Sequence, residues 1–367
     1  MSGRSDRANG GSRPHEVGAF GGSGSRLGEE TMETSPRTPR GGDMTITRPP
    51  HDPELGAALD VLLETLPPGD MTMETVIAMR DESGSPLPAI EPEALESMGI
   101  VRTDLTIPVS DGGEAKATIL KRTDHADTGP GIYYVHGGGM VSGHRLLGVD
   151  VCLPWIVDHD AVVLTVDYRL APEFPDPYPV EDAYAGLVWM AEHADEIGVD
   201  PASILIAGAS AGGGIAAGTA LLARDRQGPA LIGQLLVCPM LDDRDRTVSS
   251  AQTTEGTTWS RGSNRFGWSN LLGERAGTDD VSIYAAPARA EDLTGLPPTF
   301  IDCGSAEVFR DEEVAYAAKL WEAGVDAELH VWAGGFHGFD MLAPYAAVSR
   351  AAIAARDSWV ERVIGQR

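Results

Sequence analysis

The sequence is poor in basic residues, and lysine is the scarcest of them. Lysine occurs only at Lys116, Lys121 and Lys319, and 28 lysines and arginines together face 55 acidic residues. The formal net charge of the 367 residues is −27. Nucleic acids and anionic membrane surfaces attract basic proteins. The charge balance therefore predicts a protein with no nucleic-acid partner.

Cysteine and long hydrophobic runs are also scarce. Cys152, Cys238 and Cys303 cannot all pair with one another, and the last two end apolar runs, so we expect buried free thiols. Free thiols suit a reducing compartment, which predicts a cytoplasmic protein. No apolar run approaches the roughly 18 residues of a membrane-spanning helix, and the first residues lack the apolar segment of a secretory signal. We expect no membrane span.

Large apolar residues are nearly absent from residues 1–43. This segment is rich in Gly, Ser, Arg and Pro, and its six arginines balance six acidic residues. Such a composition buries too little apolar surface to fold, so we predict a disordered tail, with Met44 as a candidate alternative start. The rest of the chain carries the apolar periodicity, and an overall hydrophobic content of 42% is enough for one large core.

Residues 44–100 contain three short amphipathic patterns that precede any predicted strand. The first helix opens at Asp52-Pro53-Glu54, which supplies a cap, a proline and an acid in the order that a helix start favours. The other two helices are predicted over residues 71–79 and 91–98. We assign the three helices to a cap over the functional site.

Residues 101–367 have the pattern of an α/β domain. Two antiparallel strands are predicted over residues 101–109 and 115–121, and strands alternate with helices from about residue 130. This alternation predicts a mostly parallel sheet with helices on both faces. A polar, glycine-rich stretch at 247–277 interrupts it and contains three large aromatic residues. We predict a second cap segment there; the alternative is a surface loop with its own apolar cluster.

Ser210 lies in the most informative stretch. The apolar residues 204–207 read as a buried strand, Gly208-Ala209-Ser210-Ala211-Gly212 follows, and an Ala-, Gly- and Leu-rich helical pattern comes next. Strand, tight turn and helix in this order place a serine hydroxyl at a helix N-terminus, where developing negative charge is favoured. The bare G-x-S-x-G pattern also fits a small-residue helix start. Three further loops favour the interpretation of Ser210 as a nucleophile over that of a helix start.

His136-Gly137-Gly138-Gly139 is the first of these loops and directly follows an apolar strand pattern. Loops at this position bind ligands in open α/β sheets. Consecutive glycines let backbone N–H groups approach a ligand oxygen, as the oxyanion of an acyl-transfer intermediate requires. A flexible glycine turn is the alternative.

The second loop must supply an acid after the strand predicted at 299–303. Asp302 lies inside that strand, and Asp311 is predicted to cap the following helix. Glu307 lies in the loop between them and is the predicted acid. A solvated loop carboxylate is the alternative.

The third loop contains His337, flanked by glycines after the last predicted strand. Histidine can take a proton from serine and return it to a leaving group. His330 lies in a strand and is predicted to be structural, and Asp340 is too near His337 in sequence to be the preferred acid. The order Ser210, Glu307, His337 is that of the α/β-hydrolases.

These residues resemble the hormone-sensitive lipase family of α/β-hydrolase esterases, whose bacterial branch is also called family IV. The resemblance covers roughly residues 95–365 and is carried by His136–Gly139, Asp167–Glu173, Pro179–Ala183, Gly208–Gly213 and His337–Phe339. It implies an α/β-hydrolase fold with a helical cap, in which Tyr168 and Arg169 brace the loop over the site.

The resemblance also implies roles for the backbone of the glycine-rich loop. Gly138, Gly139 and Ala211 would donate the oxyanion-hole N–H groups, and His136 and Gly137 would shape that loop. The resemblance is also compatible with a homodimer that forms through the last strand or the final helix.

Two positions depart from the family pattern. Ala209 stands where the family's serine motif usually has an aspartate. Glu307 begins a Glu-Val-Phe-Arg-Asp run where the family usually has Asp-Pro-Leu-Arg-Asp. A glutamate is one methylene longer and can still orient a histidine, so the second departure concerns the identity of the acid more than the reaction.

The sequence thus predicts a carboxylic-ester hydrolase that uses Ser210, His337 and Glu307 through an acyl-enzyme, with no cofactor and no metal. A small-molecule ester with a short acyl or aryl group is the expected substrate, by analogy with the family. An amide- or formamide-cleaving enzyme on the same scaffold is the first alternative. A non-catalytic ligand receptor is the second, although such proteins typically lose the histidine.

Overall fold

The computed structural model describes residues 46–80 and 90–365, so the tail predicted to be disordered, 1–43, lies outside the described residues. The three predicted early helices are confirmed as α1 (Pro53–Thr65), α2 (Met73–Met79) and α3 (Pro92–Ser97). Asp52 caps α1, because its side chain accepts hydrogen bonds from the backbone N–H groups of Glu54 and Leu55.

Within residues 46–80 and 90–365, eight strands form one sheet in the order β1-β2-β4-β3-β5-β6-β7-β8. The pairs β1–β2 and β2–β4 are antiparallel, and the other neighbours are parallel, which confirms the predicted mostly parallel sheet. The strands are β1 (Ile100–Pro108), β2 (Glu114–Arg122), β3 (Gly129–Val135), β4 (Val162–Val166), β5 (Val199–Ala209), β6 (Gly233–Val237), β7 (Thr299–Gly304) and β8 (Ala327–Trp332).

Nine further α-helices follow in the described part of the chain. They are α4 (Leu153–His159), α5 (Tyr178–Glu192), α6 (Ala194–Ile197), α7 (Ala211–Asp225), α8 (Val248–Gln252), α9 (Arg261–Leu272), α10 (Arg310–Glu322), α11 (Phe339–Leu342) and α12 (Ala347–Ile364). None of them, nor α1 to α3, is long and apolar enough to cross a membrane.

Helices cover both faces of the sheet. Since successive residues of a strand point to opposite faces, each central strand contributes side chains to two separate clusters. In β5, Ile204 and Ile206 pack in the cluster that contains residues of α5, α7 and α10. Leu205 and Ala207 pack in the opposite cluster with residues of α3, α4 and α12. Since both faces are covered, the central strands are buried along nearly their whole length.

The stretch 247–277 forms two helices, α8 and α9, that the sequence analysis did not predict individually. Trp268 and Leu271 of α9 are buried in the larger core cluster, and Trp259, just before α9, is 8% exposed. The division of the chain into a cap and a catalytic domain stays a prediction.

The prediction that Asp311 caps the helix after β7 is wrong. α10 begins at Arg310 with Phe309 at its N-cap position. Asp311 lies in the first turn, where its carboxylate accepts a hydrogen bond from the backbone N–H of Ser249 at 2.8 Å. The acid therefore ties α10 to α8 instead of capping its own helix.

Candidate active site

Ser210 occupies a tight turn between the end of β5 and the start of α7. Its backbone has φ 57° and ψ −124°, a conformation that costs a non-glycine residue about 1–3 kcal/mol. Two backbone hydrogen bonds hold the turn: Ser210 N–H donates to Val237 O at 2.8 Å, and Ser210 O accepts from Met240 N–H at 3.0 Å. The turn is thus fixed by the last residue of β6 and by the loop after it.

Glycine is required on both sides of Ser210 because the chain passes very close to itself. A Cβ atom on Gly208 would lie 2.3 Å from Gly212 O, and one on Gly212 would lie 2.1 Å from Val135 O. Both distances are far below van der Waals contact with atoms of the backbone. The two glycines of the sequence motif therefore permit the close approach of α7 to β5 and β3.

Ser210, His337 and Glu307 form one hydrogen-bonded chain, although they lie 127 and 30 residues apart along the sequence. Ser210 Oγ lies 3.0 Å from His337 Nε2, and His337 Nδ1 lies 2.8 Å from Glu307 Oε2. An ionised carboxylate only accepts hydrogen bonds, so Nδ1 carries the proton and Nε2 accepts from the serine hydroxyl. The order of donors and acceptors is that of a serine–histidine–acid relay.

The three side chains meet because each follows a parallel strand at the same edge of the sheet. Ser210 follows β5, Glu307 follows β7 and His337 follows β8. Glu307 is 1% exposed and His337 8% exposed, whereas Ser210 is only partly buried. The Ser210 hydroxyl is therefore at the more accessible end of this hydrogen-bonded series, and the Glu307 carboxylate is at its buried end.

Aromatic side chains and α1 hold the histidine loop. The Phe309 ring meets the His337 ring edge-on at 5.1 Å between centroids, and the Thr258 hydroxyl donates to His337 O. Asp52 N–H, at the start of α1, donates to Gly334 O at 3.2 Å. Phe336 is fully buried in a small core cluster that includes leucines of α1.

The glycine loop, residues His136–Met140, follows β3 and faces the Ser210 turn. Gly138 and Gly139 have φ values of +112° and +62°, which other residues rarely adopt. Across the described ranges, the N–H groups of Gly138, Gly139 and Ala211 have no hydrogen-bond acceptor within the protein. Three backbone donors are thus available beside the serine.

His136, the first residue of this loop, holds the loop in place by its own contacts, and its side chain is neutral. Its ring stacks on Tyr168 at 4.2 Å between centroids, and its Nδ1 lies 2.7 Å from Gly137 O. The Tyr168 hydroxyl donates to His136 O at 3.0 Å. Burial lowers the pKa of His136 to about 4, because the charged imidazolium would lose its hydration.

Trp259 covers the glycine loop from the 247–277 stretch. A Cβ atom on Gly139 would lie 2.5 Å from the Trp259 ring, so the indole rests directly on that glycine. The same ring lies 6.4 Å from the His337 ring. Trp259 therefore lies close to both the glycine loop and the His337 ring.

The acids that the sequence analysis rejected lie elsewhere. Asp302 and Asp340 both accept from Arg356, at 3.2 Å and 2.8 Å, in a buried cluster. Burial raises the pKa of Asp302 to about 6 despite the nearby guanidinium. His330 lies in β8, as predicted, where its ring stacks on Trp332.

Arg80 is a structural contact that the sequence analysis missed. At the end of α2, its guanidinium donates to Val141 O at 2.9 Å and to Ala171 O at 2.8 Å and pairs with Glu173. These partners are 61 to 93 residues away along the chain. No local pattern marks such a contact, because it depends on the docking of α2 beside the glycine loop.

Two groups of ligand-type side chains lie close together in the described part of the chain. One polar atom each from Cys238, Glu307 and His337, and likewise from Cys303, Glu307 and Glu313, lie within 4.8 Å of one another. Both groups share Glu307, whose Oε2 already accepts from His337. We therefore assign neither group to a metal and interpret both as the hydrogen-bonding surroundings of Glu307.

Comparisons with known proteins agree with this arrangement. A family model described as the alpha/beta hydrolase fold matches residues 132–341. Carboxylesterase NlhH of Mycobacterium tuberculosis is 32% identical over 308 residues, which are 83% of this chain and 94% of that protein. Esterase LipI of the same organism is 37% identical over 210 residues, 57% of this chain, and the alignment spans 65% of LipI.

A solved structure gives the same result in three dimensions. A bacterial heroin esterase superimposes with a TM-score of 0.76 at 37% identity, covering 86% of this chain and 98% of that one. The family model spans more than half of the 367 residues, and it includes Ser210, Glu307 and His337. The chain therefore belongs to the alpha/beta-hydrolase fold family, in its hormone-sensitive lipase-like branch of esterases.

Proposed function

We propose that this esterase hydrolyses carboxylic esters with short acyl or aryl groups through an acyl-enzyme formed on Ser210. The observation that carries the proposal is the continuous hydrogen-bonded chain from Ser210 Oγ through the His337 ring to Glu307 Oε2. A serine alone is a weak nucleophile near neutral pH, and an adjacent, oriented base activates it.

Acylation begins when Ser210 Oγ attacks the ester carbonyl carbon and His337 Nε2 takes the hydroxyl proton. The resulting imidazolium is stabilised by the Glu307 carboxylate at Nδ1. The carbonyl oxygen becomes an oxyanion that the N–H groups of Gly138, Gly139 and Ala211 stabilise. Each such donor contributes about 3–4 kcal/mol to lowering the barrier.

The tetrahedral intermediate then collapses as His337 returns its proton to the departing alcohol oxygen. Water enters, His337 takes one of its protons, and the hydroxide oxygen attacks the acyl carbon. The second intermediate collapses as His337 returns this proton to Ser210 Oγ, which releases the carboxylic acid and restores the serine hydroxyl. The N-terminus of α7 favours the negative charge in both intermediates.

Trp259 supports the preference for short acyl groups. The indole lies over Gly139 and near His337, so it occupies space that a long acyl chain would need if it extended across the glycine loop. The preference for short acyl groups would thus follow from the volume of the Trp259 ring beside the proposed oxyanion site.

Turnover of p-nitrophenyl esters of increasing acyl length, beside the matched p-nitroanilides, tests the proposal. We expect hydrolysis of the short esters, little of the anilides, and loss of turnover in Ser210→Ala. Ser203→Ala is the matched control, since it makes the same change at a buried serine within β5, seven residues before Ser210. Anilide turnover equal to ester turnover would favour the amide-cleaving alternative, and no turnover by the folded protein would overturn the proposal.

A further inference from the structure

Glu313 is a buried acid that accepts no hydrogen bond from an N–H or O–H group of the described residues, and the weakly donating Cys303 thiol lies beside it. It lies in the first turn of α10 and is 0% exposed. Both of its carboxyl oxygens are buried and unpaired in the described structure. An ionised carboxylate in such a place would lose its hydration without compensation, which proteins avoid by pairing or neutralising the group.

A second unpaired atom lies beside Glu313. Glu307 uses Oε2 to accept from His337, but its Oε1 is also buried without a partner. One polar atom each from Glu307, Glu313 and Cys303 lie within 4.8 Å of one another. Two buried carboxylates this close to each other do not both ionise. A proton shared between them makes one oxygen a donor to the other, which pairs two of the three unpaired oxygens, and the Cys303 thiol lies beside this pair.

The surroundings decide which of the two acids holds the proton. Glu307 accepts from the Nδ1–H group of His337, and hydrogen bonds to a carboxylate favour its ionised form. Glu313 is surrounded by acidic groups, namely Glu307, Glu312, Asp302 and the Cys303 thiol. Burial first, and then the Glu307 charge, raise the pKa of Glu313 well above its usual range.

We propose that Glu313 is a protonated carboxylic acid whose O–H group donates to Glu307 Oε1 and so positions Glu307 against His337. Glu313 touches no reacting atom and is a positioning residue. A glutamate has one more rotatable bond than an aspartate, so the acid at this place needs a second anchor to keep Oε2 on Nδ1. The catalytic consequence rests on the proposed function, whereas the protonation itself does not.

Glu312, the neighbouring buried acid, has a different contact. Its Oε1 accepts from the backbone N–H groups of Leu241 and Asp242, at 2.8 Å and 3.1 Å. It therefore anchors the segment after β6, and its carboxyl group is engaged. Of the two consecutive glutamates, Glu312 thus accepts backbone hydrogen bonds and Glu313 does not.

Infrared spectroscopy of the folded protein tests the protonation directly. At neutral pH we expect a carbonyl band of a protonated carboxylic acid that is lost in Glu313→Gln and retained in Glu322→Gln. Glu322 is exposed at the other end of α10 and receives the same chemical change. A wild-type-minus-variant spectrum without this band would overturn the proposal. If the spectrum instead showed an ionised carboxylate band that changes on chelator treatment, Glu313 would bind a cation and not a proton, which would also overturn the proposal.

Ester kinetics test the positioning role. Glu313→Gln keeps a donor and should retain kcat within about threefold, whereas Glu313→Leu, of similar size without a donor, should lower kcat at least about tenfold with little change in KM. Without the donor, Glu307 holds the His337 proton more tightly, so the acid limb of the pH–kcat profile should move to higher pH in the leucine variant alone.

Two outcomes would contradict the positioning role. A folded leucine variant with wild-type kcat and pH profile would show that the donor is dispensable, and a folded glutamine variant as impaired as leucine would indicate packing alone. Absence of ester turnover in the wild type, with the infrared band present, would instead refute the proposed function and leave the protonation intact.

Discussion

Ser210 and His337 combine a strained backbone turn with a 3.0 Å contact between the proposed nucleophile and base. Ser210→Ala removes the attacking oxygen, and His337→Ala removes the proton acceptor. Each change should lower kcat/KM on p-nitrophenyl acetate by at least about 10³-fold, because relay residues act as a unit. The double variant should be no worse than either single one, and clearly additive losses would contradict a shared role.

Glu307 is distinguished from the nearby acids by its contact with Nδ1. Glu307→Ala should lower kcat by about 10²-fold or more with a smaller change in KM, since the histidine loses its orientation and its counter-charge. Asp340→Asn should leave kcat near the wild-type value, because its carboxylate contacts Arg356 instead. Steady-state kinetics of both variants test this assignment. A large loss of kcat in Asp340→Asn with little loss in Glu307→Ala would assign the acid to the Arg356 cluster instead.

Ser210, His337 and the glycine loop could be proposed from the sequence because their neighbours mark them, whereas Glu307 was chosen by its place in the loop after a strand. Glycines flank Ser210, a glycine run follows His136, and glycines precede and follow His337 in its loop. Glu313 has no such mark, since a second glutamate in a helical first turn normally reads as a solvated helix start. Only the depth at which α10 packs shows that this acid is buried.

Among the elements, the stretch 247–277 has the closest relation to substrate size, through Trp259. Trp259→Ala removes the indole that rests on Gly139 and opens space beside the glycine loop. We expect the ratio of kcat/KM for p-nitrophenyl octanoate to that for the acetate to rise at least about tenfold, as extra apolar contacts of the longer chain become available.

Trp321→Ala is the control for this prediction, because Trp321 lies on α10 and is 51% exposed. It should leave the ratio of the two kcat/KM values unchanged. An unchanged ratio in a folded Trp259→Ala variant would show that the indole does not limit the acyl group.

Helices with an apolar period and a clear start were predictable, and α8 and α9 were not. α1 shows a capping aspartate, a proline and a leucine stripe. α9 is rich in Arg, Ser, Asn and Gly, so its buried face begins with small residues and Trp268, and leucines come only at its last two positions, Leu271 and Leu272. Its serine cap, Ser260, accepts from the Ser263 N–H group, but serine is too common in loops to mark a helix by itself.

Over the whole molecule, stability should depend on pH through His136. The folded-state pKa of His136 is about 4, below the 6.5 of an accessible histidine, so the unfolded chain binds more protons between these values. Stability is therefore present above pH 6.5 and is lost as pH falls toward 4, by up to about 3 kcal/mol from this group.

Urea unfolding at pH 7 and pH 4.5 measures this contribution in the wild type and in His136→Asn, which cannot ionise. The variant should be less stable at pH 7, where it lacks the stacked ring, but it should lose less stability on acidification. Equal losses in the two proteins would contradict a buried neutral histidine at this position.

The sheet as a whole was predictable in type and less so in order. Alternating strands and helices after residue 130 indicated parallel strands, and the patterns over residues 101–109 and 115–121 indicated the antiparallel pair. The placement of β4 between β2 and β3, by contrast, depends on how the two sheet faces pack against helices on each side. Such long-range packing leaves no periodic signal within a single strand.

The most direct test of the account is intact-protein mass spectrometry after reaction with a fluorophosphonate, followed by peptide mapping. The reagent phosphonylates an activated serine oxygen as fluoride leaves. We predict one adduct per chain, on the peptide that contains Ser210, and none in Ser210→Ala, with Ser203→Ala labelled like the wild type. An adduct on another residue, or a folded wild type that stays unlabelled, would contradict Ser210 as the activated nucleophile.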